Sequence, residues 1–122
     1  MTHPTKLSNL STMGDLTAAL HEKAKDKLCV VMFTAGWCKP CATIKKRIYD
    51  ESSKKGMCVD LEDDAHFFYV DVDDNKELAE EFKITNIPHF FLMKCDGDDS
   101  VEMKCNFKGG SELSEKKIRD NC

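Results

Sequence analysis

Apolar positions along this chain fall into two rhythms. From Leu28 to Phe33 they run almost unbroken and are rich in β-branched and aromatic side chains, the pattern of a strand buried on both faces. Phe67 to Val72 predicts a second strand of the same kind. Elsewhere the spacing is helical. Met13, Leu16, Leu20 and Ala24 share one face, and Thr12 with Asp15 forms a capping-box pattern at its start. Cys41, Ile44 and Ile48 share the face of a second helix, with Lys45, Lys46 and Arg47 on its solvated side. Asp74 and Glu77 predict the start of a short third helix carrying Leu78 and Phe82. Phe90 to Lys94 and Val101 to Phe107 read as an antiparallel hairpin around Asp96-Gly97-Asp98-Asp99, and Ser111 starts a final helix through Leu113 and Ile118. With a weak first strand from Lys6 to Leu10, strands and helices alternate until the hairpin and last helix close the chain. This order predicts an α/β fold with a central mixed sheet flanked by helices on both faces.

Composition narrows the class. At 122 residues the chain is expected to be a single domain, 1–122, with a core large enough to fold without metal or disulfide staples. Its 18 basic and 22 acidic residues give a net charge of -4, which favours solubility and offers no electrostatic footprint for nucleic acid. No apolar run approaches the roughly 18 residues that span a membrane. The segment Met1-Thr2-His3-Pro4-Thr5-Lys6 has no apolar signal core, so a cytoplasmic monomer is expected.

The chemistry is concentrated in Trp37-Cys38-Lys39-Pro40-Cys41, directly after the first buried strand. Two cysteines three positions apart lie one turn apart when a helix begins at the first, close enough for a reversible disulfide. At a helix start, unpaired backbone N–H groups favour an anion, so the Cys38 thiol should ionise more readily than a free cysteine and act as nucleophile. Cys41, one turn inside, is the resolving thiol.

These residues resemble the thioredoxin family, and the resemblance covers nearly the whole chain. Ile87-Pro88 stands before His89-Phe90-Phe91-Leu92-Met93 where that family carries a cis-proline opposite its dithiol. Gly109-Gly110 follows Phe107 as the family's glycine follows its last strand, and Val70-Asp71-Val72-Asp73 resembles its central strand and exit. The resemblance implies the thioredoxin fold and a thiol–disulfide oxidoreductase that reduces protein disulfides. Trp37, Lys39, Pro40, Ile87, Pro88 and Gly109 would form its substrate-binding surface. It also implies recycling by a thioredoxin-reductase-type enzyme that draws electrons from a nicotinamide cofactor, with no cofactor or metal held by this chain.

Three departures bear on mechanism. Met32 occupies the strand position where most members place a buried acid, so the usual proton acceptor is missing. His89 follows the proline where many members have Thr; it is either a modulator of the dithiol or, by strand alternation, turned away from it. The connection before Phe67 is longer than usual, and its acidic stretch, Asp60 to Asp64, is expected as a solvated surface excursion.

Among the seven cysteines, Cys29 reads as a small buried hydrophobe. Cys58, Cys95, Cys105 and Cys122 are thiols by default, although Cys95 and Cys105 flank the predicted hairpin turn, where a cross-strand disulfide is a second reading. Two alternatives to the reductase remain. One is an interaction module whose catalysis is slowed by Met32. The other is a metal-binding Cys-x-x-Cys protein, which the neighbouring proline opposes.

Overall fold

The computed structural model describes residues 3–24, 26–95 and 101–121. Its elements follow the order β1 (Thr5–Leu7), α1 (Met13–Ala24), β2 (Leu28–Thr34), α2 (Lys39–Ile48), α3 (Met57–Asp60), β3 (Ala65–Asp71), α4 (Lys76–Glu81), β4 (His89–Cys95), β5 (Val101–Lys108) and α5 (Glu115–Asp120). The strands form one sheet in the order β1-β3-β2-β4-β5. β3 runs parallel to β1 and β2, whereas β4 is antiparallel to β2 and β5. This is the mixed sheet that the alternation predicts.

Every residue of β2 is buried because helices cover both of its faces. Val30 and Met32 point into one core with Phe67, Phe90 and Leu92, sealed by Cys41, Ile44 and Ile48 of α2 and Ile118 of α5. Cys29, Val31 and Phe33 point the other way, toward Leu16 and Leu20 of α1 and Leu78 of α4. Leu16 and Leu20 are wholly buried. Each contributes about 2 kcal/mol by removal from water, which fixes the register of α1 more firmly than its cap does. The capping box is nevertheless formed: Asp15 N donates to Thr12 Oγ1 at 3.1 Å, and Thr12 N donates to Asp15 Oδ2 at 3.2 Å.

Several boundaries differ from the sequence reading. β1 stops at Leu7 because Asn9 adopts φ 60°, and the chain turns toward the exit of β3. The buried Asn75 holds that turn, its Oδ1 accepting from Leu10 N at 2.8 Å and its Nδ2 donating to Leu7 O at 3.1 Å and Asp71 O at 2.9 Å. Asn75 is also the cap residue of α4, so Asp74 does not cap it and instead lies 3.9 Å from Lys6 Nζ. The final helix begins three residues later than predicted, because Ser114 Oγ accepts from Lys117 N at 3.1 Å and caps it there.

The long connection before β3 is not merely a solvated excursion. It contains α3, and Met57, Cys58 and Leu61 enter the core beneath α2 while Asp60, Glu62 and Asp63 stay outside. The basic run of α2 is likewise more than a solvated face. Lys45 Nζ lies 5.2 Å from the centroid of the Tyr69 ring, and Arg47 donates to the carbonyls of Gly110 and Leu113.

The hairpin forms between β4 and β5, but its predicted turn residues, Asp96 to Asp99, lie outside the described residues, as does Cys122. Cys95 does not face Cys105. A register shift after Leu92 pairs Cys105 with Leu92 and Cys95 with Val101, which sets the two cysteines on opposite faces of the sheet.

Candidate active site

β2 delivers the chain to the site. Its last residue is tied to the exit of β3, Val72 N donating to Thr34 O at 2.9 Å, and the turn Ala35-Gly36-Trp37 is closed by Cys38 N donating to Ala35 O at 3.1 Å. α2 starts there with Cys38 as its N-cap and Pro40 in its first turn, where a missing N–H costs nothing. Cys38 and Cys41 are joined by a disulfide, with their Cα atoms 5.2 Å apart.

The two sulfurs are not equivalent. Cys38 is 6% exposed and Cys41 is fully buried. Cys38 is thus less open to solvent than its helix-start position suggests, but it is the sulfur an incoming group reaches first. Cys41 N donates to Cys38 Sγ at 3.3 Å, inside a helix end whose dipole favours negative charge on that sulfur. Gly36, Trp37, Lys39 and Pro40 surround it on the surface.

Trp37 is 69% exposed, a large apolar ring kept in water beside the disulfide. Its Nε1 donates to Asp73 Oδ2 at 3.0 Å, and Asp73 N in turn donates to Asp71 Oδ1 at 2.8 Å. The sequence reading placed Asp71 and Asp73 at a strand exit and missed this role. An acid just past a buried strand, with an exposed tryptophan at the exit of its parallel neighbour, is the signal available.

The second half of the site comes from the segment that leads into β4. Ile87–Pro88 is a cis peptide bond, and Pro88 O accepts from Gly109 N at 2.7 Å. Gly109 has φ 76°, a left-handed conformation that glycine adopts without a Cβ clash. Gly110 next to it lies so close to Ile44 that a Cβ would overlap the isoleucine side chain, so the strand exit is fitted against α2. Ile87 packs against both cores.

Met32 is 1% exposed and lies in the same core cluster as Cys38 and Cys41. The buried polar side chains among the described residues are Thr34, Asn75 and His89, so no buried carboxylate replaces the missing acid. The structure does not bring His89 to the dithiol. Its Nε2 lies 3.1 Å from Asn106 Oδ1, and its ring stacks on Phe91, whose side chain belongs to the core on the opposite face from Met32 and Cys41. Strand alternation turns it away, and a direct relay from Cys41 to His89 does not exist in this arrangement.

The structure thus holds a disulfide at a helix start, an exposed tryptophan beside it and a cis-proline before β4. The comparisons with known proteins agree. The sequence model of the family described as Thioredoxin matches residues 13–116, and the chain belongs to that family. An H-type thioredoxin of Fagopyrum esculentum is 45% identical over 75 residues, covering 60% of this chain and 59% of the relative. A thioredoxin of Geodia cydonium is 42% identical over 85 residues, covering 70% of this chain and 73% of that one. The match thus spans about three fifths of the first relative's length and about three quarters of the second's. Among solved structures, reduced Schistosoma mansoni thioredoxin pre-protein has a TM-score of 0.71 at 32% identity, covering 99% of this chain and all of that one. Trichomonas vaginalis thioredoxin, with a TM-score of 0.72 at 23% identity, shares the fold. No described helix is long and apolar enough to cross a membrane.

Proposed function

We propose that this protein reduces disulfide bonds in protein substrates. The carrying observation is the asymmetry of the pair: Cys38 caps α2 and accepts a backbone N–H, while Cys41 is fully enclosed. In the reduced protein the Cys38 thiolate attacks a substrate disulfide, forms a mixed disulfide and expels one substrate thiolate, which takes up a proton. Cys41 then loses its proton and attacks Cys38 Sγ, releasing the second substrate thiol and closing the Cys38–Cys41 bond. Two electrons have passed to the substrate.

Trp37, Lys39, Pro40, Ile87, Pro88 and Gly109 are the docking surface in this reading. The exposed indole supplies an apolar platform, and in this reading the segment before β4 and the one after β5, tied together by Gly109 N donating to Pro88 O, complete the surface. A reductase of the thioredoxin-reductase type, using a nicotinamide cofactor, restores the dithiol in a cytoplasmic setting, and the chain works as a monomer. Met32 favours a second reading, an interaction module with slow turnover, because Cys41 has no buried carboxylate to take its proton. Reduction of insulin disulfides in the presence of thioredoxin reductase and reduced nicotinamide cofactor distinguishes them. Sustained turnover supports the reductase, and stoichiometric binding without turnover supports the module.

A further inference from the structure

Away from the exchange site, another pair of sulfurs lies in contact. Cys29 Sγ and Cys95 Sγ are 3.8 Å apart, in the core between the sheet and α1. They are not joined by a disulfide, and they are separated by 66 positions in the chain. We propose that Cys29 and Cys95 are a second redox pair, oxidised by a hydroperoxide to a disulfide that crosslinks β2 to β4 on the face opposite Cys38–Cys41.

The placement supports closure. Cys29 is paired in register with Met93, so Cys95 is its diagonal neighbour on the same face of the antiparallel ladder. Reaching the ordinary bond length of about 2.0 Å requires the sulfurs to approach by about 1.8 Å, and because diagonal Cα atoms ordinarily stand about 7–8 Å apart, closure takes a small backbone shift together with side-chain rotation. Cys58 and Cys105 belong to the core on the opposite face of the sheet. Access is the limiting factor, because Cys29 is wholly buried and Cys95 is 1% exposed. Cys29 is, however, the second residue of β2 and Cys95 the last of β4, so fraying of strand ends exposes them without opening the sheet centre. Burial, reinforced by the neighbouring Cys95 sulfur, raises the Cys29 pKa, which makes the closed state slow to react.

The chemistry balances. One sulfur attacks the peroxide, the O–O bond breaks, and a sulfenic acid forms with release of water from hydrogen peroxide, or of an alcohol from an organic hydroperoxide. The second sulfur displaces the hydroxyl, closing the S–S bond and releasing water. Two electrons pass from the sulfurs to the peroxide. Cys38 follows the opposite end of β2, five strand residues beyond Cys29, a distance of roughly 15–20 Å at the usual rise per residue. The sheet also lies between the two pairs. The dithiol therefore does not reduce the second disulfide within the same chain, and the crosslink outlasts turnover of the first.

The test begins with the Cys38→Ser/Cys41→Ser protein, in which the tryptic peptide beginning at Leu28 contains Cys29 as its only cysteine. The native protein is exposed to hydrogen peroxide, quenched in acid, alkylated after denaturation and digested for mass spectrometry. The expected product is that peptide linked to the one beginning at Cys95. It should be absent after added Cys29→Ala, and oxidised samples should melt higher than dithiothreitol-treated ones by roughly 5–15 °C. The wild-type protein, oxidised in parallel, should yield the same link identified by fragmentation, which covers the case of a poorly folding variant. Recovery of Cys29 and Cys95 as separate alkylated thiols or separate over-oxidised acids, once Cys38–Cys41 is fully oxidised in the wild type, overturns the proposal. Linkage of either to Cys58 or Cys105 overturns it equally.

Discussion

The indole of Trp37 is held by a hydrogen bond from Nε1 to Asp73 Oδ2 at 3.0 Å, which orients the most exposed large apolar side chain among the described residues. A solvent-exposed hydrogen bond of this kind is worth about 1 kcal/mol net. Asp73→Ala should therefore raise KM for a protein disulfide by about fivefold and leave kcat nearly unchanged, because the sulfurs are untouched. Steady-state kinetics with insulin check this. An equal fall in kcat would mean that Asp73 acts on the chemical step rather than on docking.

Met32 is buried in the same core cluster as Cys41, and in the proposed reading its apolar side chain leaves Cys41 without a carboxylate to take its proton. Introducing a carboxylate with Met32→Asp buries a charge without a partner, and should cost about 2 kcal/mol or more, lowering Tm near pH 7 by roughly 10 °C. Burial disfavours the charged form, so the new carboxyl titrates above its unfolded value. The folded state then holds the proton more tightly, and the destabilisation grows as pH rises and shrinks toward pH 4. In exchange, the variant should resolve a preformed mixed disulfide on Cys38 about tenfold faster, at the modest end of general-base effects. Stopped-flow release of a labelled thiol reads the rate. No acceleration would show that proton removal from Cys41 does not limit turnover.

Lys39 places an exposed cation between the two cysteines. If it favours the Cys38 thiolate by about 0.7 kcal/mol, it stabilises the reduced form and raises the reduction potential by about 15 mV. Lys39→Gly should make the potential more negative by that amount, with a smaller shift at high salt. Equilibration against glutathione measures it, and an unchanged or less negative value contradicts the role.

His66 links β3 to β1 through Thr5 Oγ1, 2.7 Å from its Nε2, and stacks on Phe68. Burial, with Lys27 and Lys23 nearby, lowers its pKa. The unfolded chain therefore takes up this proton first as pH falls. The contribution is complete above the unfolded value of about 6.5 and is lost as pH falls toward the lower folded value. His66→Gln should flatten the decline of Tm between about pH 7.5 and 5.5 relative to wild type. Parallel slopes for the two proteins would refute the assignment.

Local patterning made much of this legible. β2, the cysteines at the start of α2 and the apolar faces of α1 and α2 are written in side-chain patterns only a few residues long, and the structure places them as the spacing predicts. The features missed are long-range. Trp37 meets Asp73 across 36 positions, Asn75 reaches Leu7 across 68, and Cys29 meets Cys95 across 66. No periodicity encodes such pairs. Cys95 also shows how a single register shift defeats a hairpin reading, since the shift after Leu92 carries Cys95 and Cys105 to different faces. α3 was hidden for another reason. Its four residues are too few for a helical rhythm, and the charged residues after Met57 and Cys58 read as solvent.

The central claim is that Cys38 attacks and Cys41 resolves, and trapping of substrate proteins tests it most directly. Cys41→Ser should accumulate proteins joined to Cys38 as mixed disulfides, visible as dithiothreitol-sensitive adducts on non-reducing gels. Cys38→Ser should accumulate none and should lose disulfide reductase activity, because the fully buried Cys41 cannot begin the exchange. Adducts through Cys41 in the Cys38→Ser protein, with none in the Cys41→Ser protein, would reverse the assignment and contradict the account.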